Sequence, residues 1–488
     1  MREEKALFII FGGTGDLAQR KLYPALFNLY RRGHIQKSFA VIGTARRPWT
    51  DEHYREVVAD SIRGSVDADF YTEAMVENFA DHFYYQSHNV NDTEHYMILK
   101  KLAQQLDDEY EIGGNRVFYL AMSPRFFGTI AEHLKTQKLV TDHGYNRVVV
   151  EKPFGRDLAT ATELNQSIEK YFPADSIFRI DHYLGKAMIQ NITAIRFGNS
   201  IFRNLWNNRY IDNIQITLSE SLGVEERAGY YETAGALRDM VQNHILQIVS
   251  LLTMNAPVSF NDQDLRQEKI SALKSLKVYT PDEVAHNFVR GQYGPGEGVH
   301  AYRDEDNIAD DSAIETFVAG KLEVENMNFA GVPVYIRTGK RLATKATRID
   351  VIFKKMPTNI FPGVALTNNV LSIDVDPNEE ITLYINDKDY DTGFKMKQLP
   401  LAYRNQNRDC PEAYEKLLHD LLRGDATNFT HWEEVKYSWQ FVDAIRSAWD
   451  METPAFPNYE SGSMGPKAAD ELLARDGKQW FFDPTKTN

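Results

Sequence analysis

Four short runs in the first third of the chain are largely apolar at successive positions rather than at alternate ones: Ala6–Phe11, Phe39–Thr44, Arg116–Ala121 and Arg147–Val150. That pattern marks strands buried on both faces. Between the first two lies Leu17–Arg32, where Leu22, Leu26, Leu29 and Tyr30 recur at helical spacing and Gly33 supplies a stop. Pro24 either kinks this segment or opens its main part. Strand and helix in alternation predict a parallel, doubly wound sheet of the Rossmann type.

The pattern then changes. Asn213–Ser219 alternates, with Ile214, Ile216 and Leu218 on one face. Val332–Arg337, Ile349–Phe353, Val370–Val375 and Ile381–Ile385 follow as strand-like runs, some joined by turn residues such as Asp376-Pro377-Asn378. Close succession of this kind predicts an antiparallel sheet. Helical periodicity marks Ala236–Leu252, Tyr414–Leu422 and Trp432–Trp449. The expected class is α/β plus α+β. Residues 1–180 are expected to form the Rossmann-type domain, and residues 181–488 a larger α+β domain.

Composition narrows the function classes. The chain has 488 residues, 43% apolar and 25% charged, with a formal net charge of −14. Nucleic-acid binding needs a basic face, and an anionic membrane surface needs the same, so neither is expected. An anionic substrate would require lysines and arginines gathered locally against the global field. The single cysteine, Cys410, excludes an internal disulfide framework and any multi-cysteine metal site. With no cleavable signal pattern and no apolar run near the ~18 residues of a spanning helix, a cytoplasmic protein is expected.

The segment Gly12-Gly13-Thr14-Gly15-Asp16-Leu17-Ala18 follows the first predicted strand and opens the first helix. Gly13, Gly15 and Ala18 match the G-x-G-x-x-G/A spacing, in which glycine lets a pyrophosphate approach the backbone and the helix start offers N–H groups to it. A tight turn without a ligand is the other reading. The second strand leads into Arg46-Arg47, with no acid nearby to take a ribose 2′-hydroxyl. A guanidinium suits a 2′-phosphate, so NADP is the expected cofactor, with NAD also open. A solvated arginine pair, or Arg47 stacked on adenine, also fits.

Three polar segments carry candidate chemistry. Lys152, in Glu151-Lys152-Pro153, stands at the carboxyl end of the fourth of these runs, where parallel sheets bind ligands; a surface lysine before a rigid turn fits equally. Asp181, His182, Tyr183 and Lys186 crowd into Arg179–Lys186. Asp239 and His244 lie on an otherwise apolar helix, where an imidazole is either a satisfied core group or a general base paired with a carboxylate.

These segments together resemble the glucose-6-phosphate dehydrogenase family. Arg179-Ile180-Asp181-His182-Tyr183-Leu184-Gly185-Lys186 is similar to its signature without a mismatch. Gly15–Ala18, Glu151–Gly155, Arg337–Leu342 and Ser461–Pro466 extend the likeness along the whole chain. The resemblance implies that His244 takes the proton from the C1 hydroxyl of glucose 6-phosphate, with Asp181 as its carboxylate partner. It implies that His182 and Lys186 hold the 6-phosphate with Tyr183 beside them. Glu220 and Asp239 would bond sugar hydroxyls, while Lys340 and Lys345 complete the substrate pocket. Gly12, Gly13, Thr14, Gly15, Asp16, Leu17, Arg46, Asn89 and Val90 would line the cofactor, and Lys152 would lie between sugar and cofactor, its bond to Pro153 a candidate for the cis form. Asn89 stands where many relatives have Asp.

Removal of the hydroxyl proton as hydride leaves C1 gives a lactone, and needs no metal because the hemiacetal is already acidic. The resemblance further implies the first step of the oxidative pentose phosphate pathway and a homodimer or dimer of dimers. A related dehydrogenase acting on a non-phosphorylated ring would leave Arg179–Lys186, Lys340 and Lys345 unexplained. A non-catalytic NADPH-binding regulator would not keep both Asp181 and His244.

Overall fold

In the computed structural model, which describes residues 3–361, 363–390 and 395–486, the chain divides into two compact units. The first comprises residues 1–185, 261–263 and 409–432; the second comprises 186–260, 264–408 and 433–488.

The first unit is built on six strands: β1 (Ala6–Phe11), β2 (Phe39–Ala45), β3 (Phe83–Ser87), β4 (Arg116–Leu120), β5 (Asn146–Val150) and β6 (Ile177–Arg179). They pair in the order β3-β2-β1-β4-β5-β6, all parallel. Every residue of β1 is buried, as expected of a central strand with helices on both faces. The two outer strands β3 and β6 were not predicted. Phe83-Tyr84-Tyr85-Gln86-Ser87 mixes polar and aromatic residues, and β6 has three residues, so neither shows the continuous apolar run of the inner four.

The predicted helix Leu17–Arg32 is a π-helical turn, Ala18–Leu22, running into an α-helix, Tyr23–Arg31, with Pro24 in its first turn. Pro24 therefore opens the main part of the segment, and the wider π turn stands just before it, where its missing N–H breaks the regular α-helical ladder.

A division at 180/181 into two continuous domains differs from this arrangement. Residues 409–432 return to the first unit through the helix Ala413–Arg423, whose Leu417, Leu418, Leu421 and Leu422 join the core that contains Phe8, Leu26 and Phe27. Burial of these four leucines, at ~1.5–3 kcal/mol each, is the physical reason for the return. Arg31 and Arg32 both bond Asp409, and Arg147 donates to the Leu422 carbonyl at 2.8 Å, fixing both ends of the returning segment.

The second unit is built on an eight-stranded sheet of β7 (Ile211–Ser219), β8 (Phe288–Gly291), β10 (Phe317–Leu322), β11 (Val334–Gly339), β12 (Ala346–Phe353), β13 (Val370–Asp376), β14 (Glu380–Lys388) and β15 (Met396–Arg404). A small pair, β9 (Tyr293–Gly294) and β16 (Tyr459–Glu460), lies outside it. The order is β15-β14-β13-β12-β7-β11-β10-β8. The sheet is mostly antiparallel, as expected, with β7 and β11 paired in parallel. A parallel pair needs a long crossover, and the chain from 220 to 333 with its helices supplies one.

Candidate active site

The carboxyl ends of the six parallel strands carry most of the polar residues singled out in the first unit. Gly12 follows β1 with φ +98°, and a Cβ there would stand 2.3 Å from the Ala121 carbonyl oxygen, so only glycine fits this turn. The Gly12 and Gly13 N–H groups both donate to the Thr44 carbonyl, at 2.8 and 3.1 Å, and Gly15 N–H donates to Gly12 O at 2.9 Å. These glycines shape the loop rather than offer donors. The donors left for an anion are those of the helical turn that opens at Asp16 and Leu17, whose first N–H groups have no intrahelical acceptor. Thr14 is held by Gln19, whose side-chain amide donates to its carbonyl at 3.0 Å. Asp16 pairs with Arg20 at 2.7 Å on the surface.

Arg46 and Arg47 follow β2 and are exposed; among the described residues no carboxylate lies within ion-pair distance of either. Arg47 lies over the Trp49 ring at 5.5 Å. A glycine turn, a helix start and two unneutralised guanidiniums form a donor set that fits a phosphorylated dinucleotide. After β3, Asn89 N–H donates to His95 Nδ1 at 2.8 Å and Val90 O accepts from Tyr96 at 2.9 Å, so both backbones are locked at the strand end.

After β5 come Glu151 and Lys152, the latter joined to Pro153 by a cis bond. Glu151 is buried and accepts from the Tyr119 hydroxyl at 2.5 Å and the Tyr414 hydroxyl at 3.2 Å. Burial pushes its carboxyl up to about 7, against the lowering effect of the two tyrosine bonds. After β6, Asp181 is buried and its Oδ1 accepts the Tyr183 N–H at 3.0 Å. His182 lies edge-on to Tyr183 at 4.9 Å and parallel to Tyr414 at 6.3 Å.

The second unit gathers a separate set of charged groups. Strand register aligns Gly339 of β11 and Ala346 of β12 with Ser219 of β7, so Glu220, Lys340 and Lys345 emerge at one edge of the sheet. Lys340 pairs with Glu220 and is nearly buried. Asp376 closes β13 at the same edge, opposite Thr347 of β12, and pairs with Lys345 at 3.1 Å and Lys186 at 3.3 Å. Burial would raise the Asp376 carboxyl, but the two ammoniums outweigh it and hold it below the usual range.

Asp239 and His244 lie on a π-helix, Leu237–Ile245, that runs into the α-helix Leu246–Thr253; the single α-helix expected over 236–252 thus begins as a wider coil. Residues five apart are one hydrogen-bonded turn apart in a π-helix, which lines Asp239 up with His244. Both are buried, and Tyr230 donates to Asp239 at 3.3 Å. Glu315, itself fully buried, accepts the Leu237 N–H at 3.1 Å and the Arg446 guanidinium at 2.5 Å, anchoring the start of this helix.

Sequence reasoning missed Asp376, Tyr414, Glu151 and Glu315. No local signal marks them, since each acts through partners distant in the chain, up to 263 residues away.

A doubly wound sheet with a glycine turn after its first strand defines a dinucleotide-binding oxidoreductase fold. Residues 9–191 match the family described as glucose-6-phosphate dehydrogenase, NAD binding domain, and residues 193–481 match its C-terminal domain. The chain belongs to the glucose-6-phosphate dehydrogenase family. It is 52% identical to glucose-6-phosphate 1-dehydrogenase of Bacillus subtilis, across 98% of this chain and 99% of that one. It is 47% identical to the Leuconostoc mesenteroides enzyme, again across 98% and 99%. A solved glucose-6-phosphate dehydrogenase in complex with its substrate superposes with a TM-score of 0.91 at 34% identity, covering 98% of this chain and 99% of that one.

Proposed function

We infer that the chain oxidises glucose 6-phosphate at C1 to 6-phosphoglucono-1,5-lactone, the first step of the oxidative pentose phosphate pathway and the role of its family. The observation that carries the substrate assignment is the convergence of Lys186 and Lys345 on Asp376. Two ammoniums gathered at one point suit the dianionic end of a sugar phosphate in a chain of net charge −14.

We propose that NADP is the cofactor, held by the turn Gly12–Leu17, with Asn89 and Val90 beside it and Arg46 on the 2′-phosphate. A bound nicotinamide accepts the hydride from C1. His244 takes the C1 hydroxyl proton, and Asp181 is the carboxylate that orients the imidazole and stabilises its charged form. His182 and Lys186 hold the 6-phosphate, with Tyr183 alongside; Lys340 and Lys345 complete the pocket; Glu220 and Asp239 take sugar hydroxyls; Lys152 lies between sugar and cofactor. The phosphate anchor lets binding energy far from C1 orient the reacting atoms. Residues 1–180 then serve mainly the cofactor, and residues 181–488 the substrate and the dimer.

A cytoplasmic setting is supported by the single cysteine. No helix among the described residues is long and apolar enough to cross a membrane. A homodimer or dimer of dimers is supported by the outer strand β15, where Leu401 and Tyr403 are 50% and 70% exposed, since an open apolar edge invites pairing.

Steady-state formation of NADPH tests the reading. Glucose 6-phosphate should exceed glucose in kcat/KM by at least about 10³-fold, the scale expected when a site's buried charges lose their partner. Equal rates with the two sugars would overturn it.

A further inference from the structure

We propose that Glu151 is a positioning residue for the phosphate-binding segment, acting on His182 through the ring and hydroxyl of Tyr414. This rests on the reading of His182 as a phosphate ligand. Glu151 follows β5, and its carboxylate accepts from Tyr119 at 2.5 Å and from Tyr414 at 3.2 Å through the same oxygen. Tyr414 belongs to the returning helix Ala413–Arg423, and its ring lies parallel to His182, 11° between planes. The same helix start is pressed against the signature segment: a Cβ on Gly185 would stand 2.5 Å from the Ala413 carbonyl oxygen. The chain of contacts thus runs from a strand end, through one carboxylate, to the imidazole.

The groups facing Glu151 are Tyr119 from β4, Tyr414 from the returning helix, Asp181 after β6 and Lys152 next along the chain. Burial raises the Glu151 carboxyl most, Asp181 adds to this, and the tyrosines and Lys152 oppose it, leaving the group at about 7. Above that pH the carboxylate accepts two charge-assisted hydrogen bonds, which are about twice as strong as neutral ones. Below it the charge is gone, and the longer bond, to Tyr414, is the one that weakens. His182 is therefore held best at neutral and alkaline pH.

The test is the ratio of variant to parent KM for glucose 6-phosphate between pH 6 and pH 8.5, measured on the full-length enzyme. Taking the ratio cancels the titration of the substrate phosphate and of the base. For Glu151→Gln, which keeps an acceptor but no charge, the ratio should be near one at pH 6 and rise to about fivefold at pH 8.5, while the ratio for NADP stays flat. Tyr414→Phe leaves Glu151 in place and removes only the hydroxyl, so it should give the same rise even if Glu151→Gln fails to fold. A ratio independent of pH in both variants would overturn the proposal. His182→Ala separates the two levels: an unchanged KM for glucose 6-phosphate sinks the phosphate role and this inference with it, whereas a raised KM beside flat ratios sinks this inference alone.

Discussion

The glycine-turn edge of the first unit and the charged edge of the second are built in different ways. The first is built from backbone: a glycine turn, the opening of a helix and the ends of parallel strands, all produced by the strand–turn–helix unit itself. The second is built from side chains, with Glu220, Lys340, Lys345 and Asp376 delivered by four neighbouring strands and Lys186 from a helix start. A backbone site is local in sequence and tolerant of side-chain change. A side-chain site depends on register, and losing one charge exposes its partner.

The largest test of this contrast is His244→Asn. If His244 is the base, kcat falls by roughly 10²–10⁴-fold with little change in KM, and a variant that keeps most of its turnover moves the role elsewhere. Lys186→Ala should raise KM for glucose 6-phosphate by about 10- to 100-fold, the value of a lost charge-assisted bond, and hardly alter KM for NADP. Equal effects on the two substrates would erase the division of labour between the edges.

Next comes a pH effect confined to the first unit. His88 is buried against Phe11 and Tyr96, and burial, reinforced by His95, lowers its imidazole from 6.5 to about 4. The unfolded chain then binds more protons between those values, so stability is full above about pH 6.5 and falls as pH drops toward 4. The loss from pH 7 to pH 5 is about 2 kcal/mol. Because the raised Glu151 carboxyl acts in the opposite sense over the same range, the effect is read as a difference: the stability of the parent minus that of His88→Leu, from urea titrations, should fall by about 2 kcal/mol between pH 7 and pH 5. The smallest effect expected is at Arg46. Arg46→Ala should lower kcat/KM with NADP by about tenfold and leave that with NAD almost unchanged, read as the ratio of the two.

Much of the fold was legible. β1 matches its apolar run residue for residue, and β2, β4, β5, β7 and β11–β14 lie on or within two residues of predicted runs at most of their ends. The strands that escaped are β3, β6, β8, β9, β10, β15 and β16; most are short or at sheet margins, where half-exposure blurs the period, and in the buried β10 Gly320 and Lys321 interrupt the apolar run. β15 shows this best: six of its nine residues are exposed and Pro400 interrupts its pattern. The return of residues 409–432 was equally hidden, because an amphipathic helix announces that it needs a core but not which one.

Sequence alone settled the glycine turn, the arginines after β2, the signature segment and hence the family, since each is a contiguous string whose chemistry depends on its immediate neighbours. Only the tertiary structure decided that Asp376 gathers Lys186 and Lys345, that Glu315 anchors the helix of Asp239 and His244, and that Tyr414 comes back to Glu151 and His182. The reason is physical: those contacts form where strand register and the burial of distant leucines bring separate stretches together, and a linear pattern carries no record of which buried face meets which.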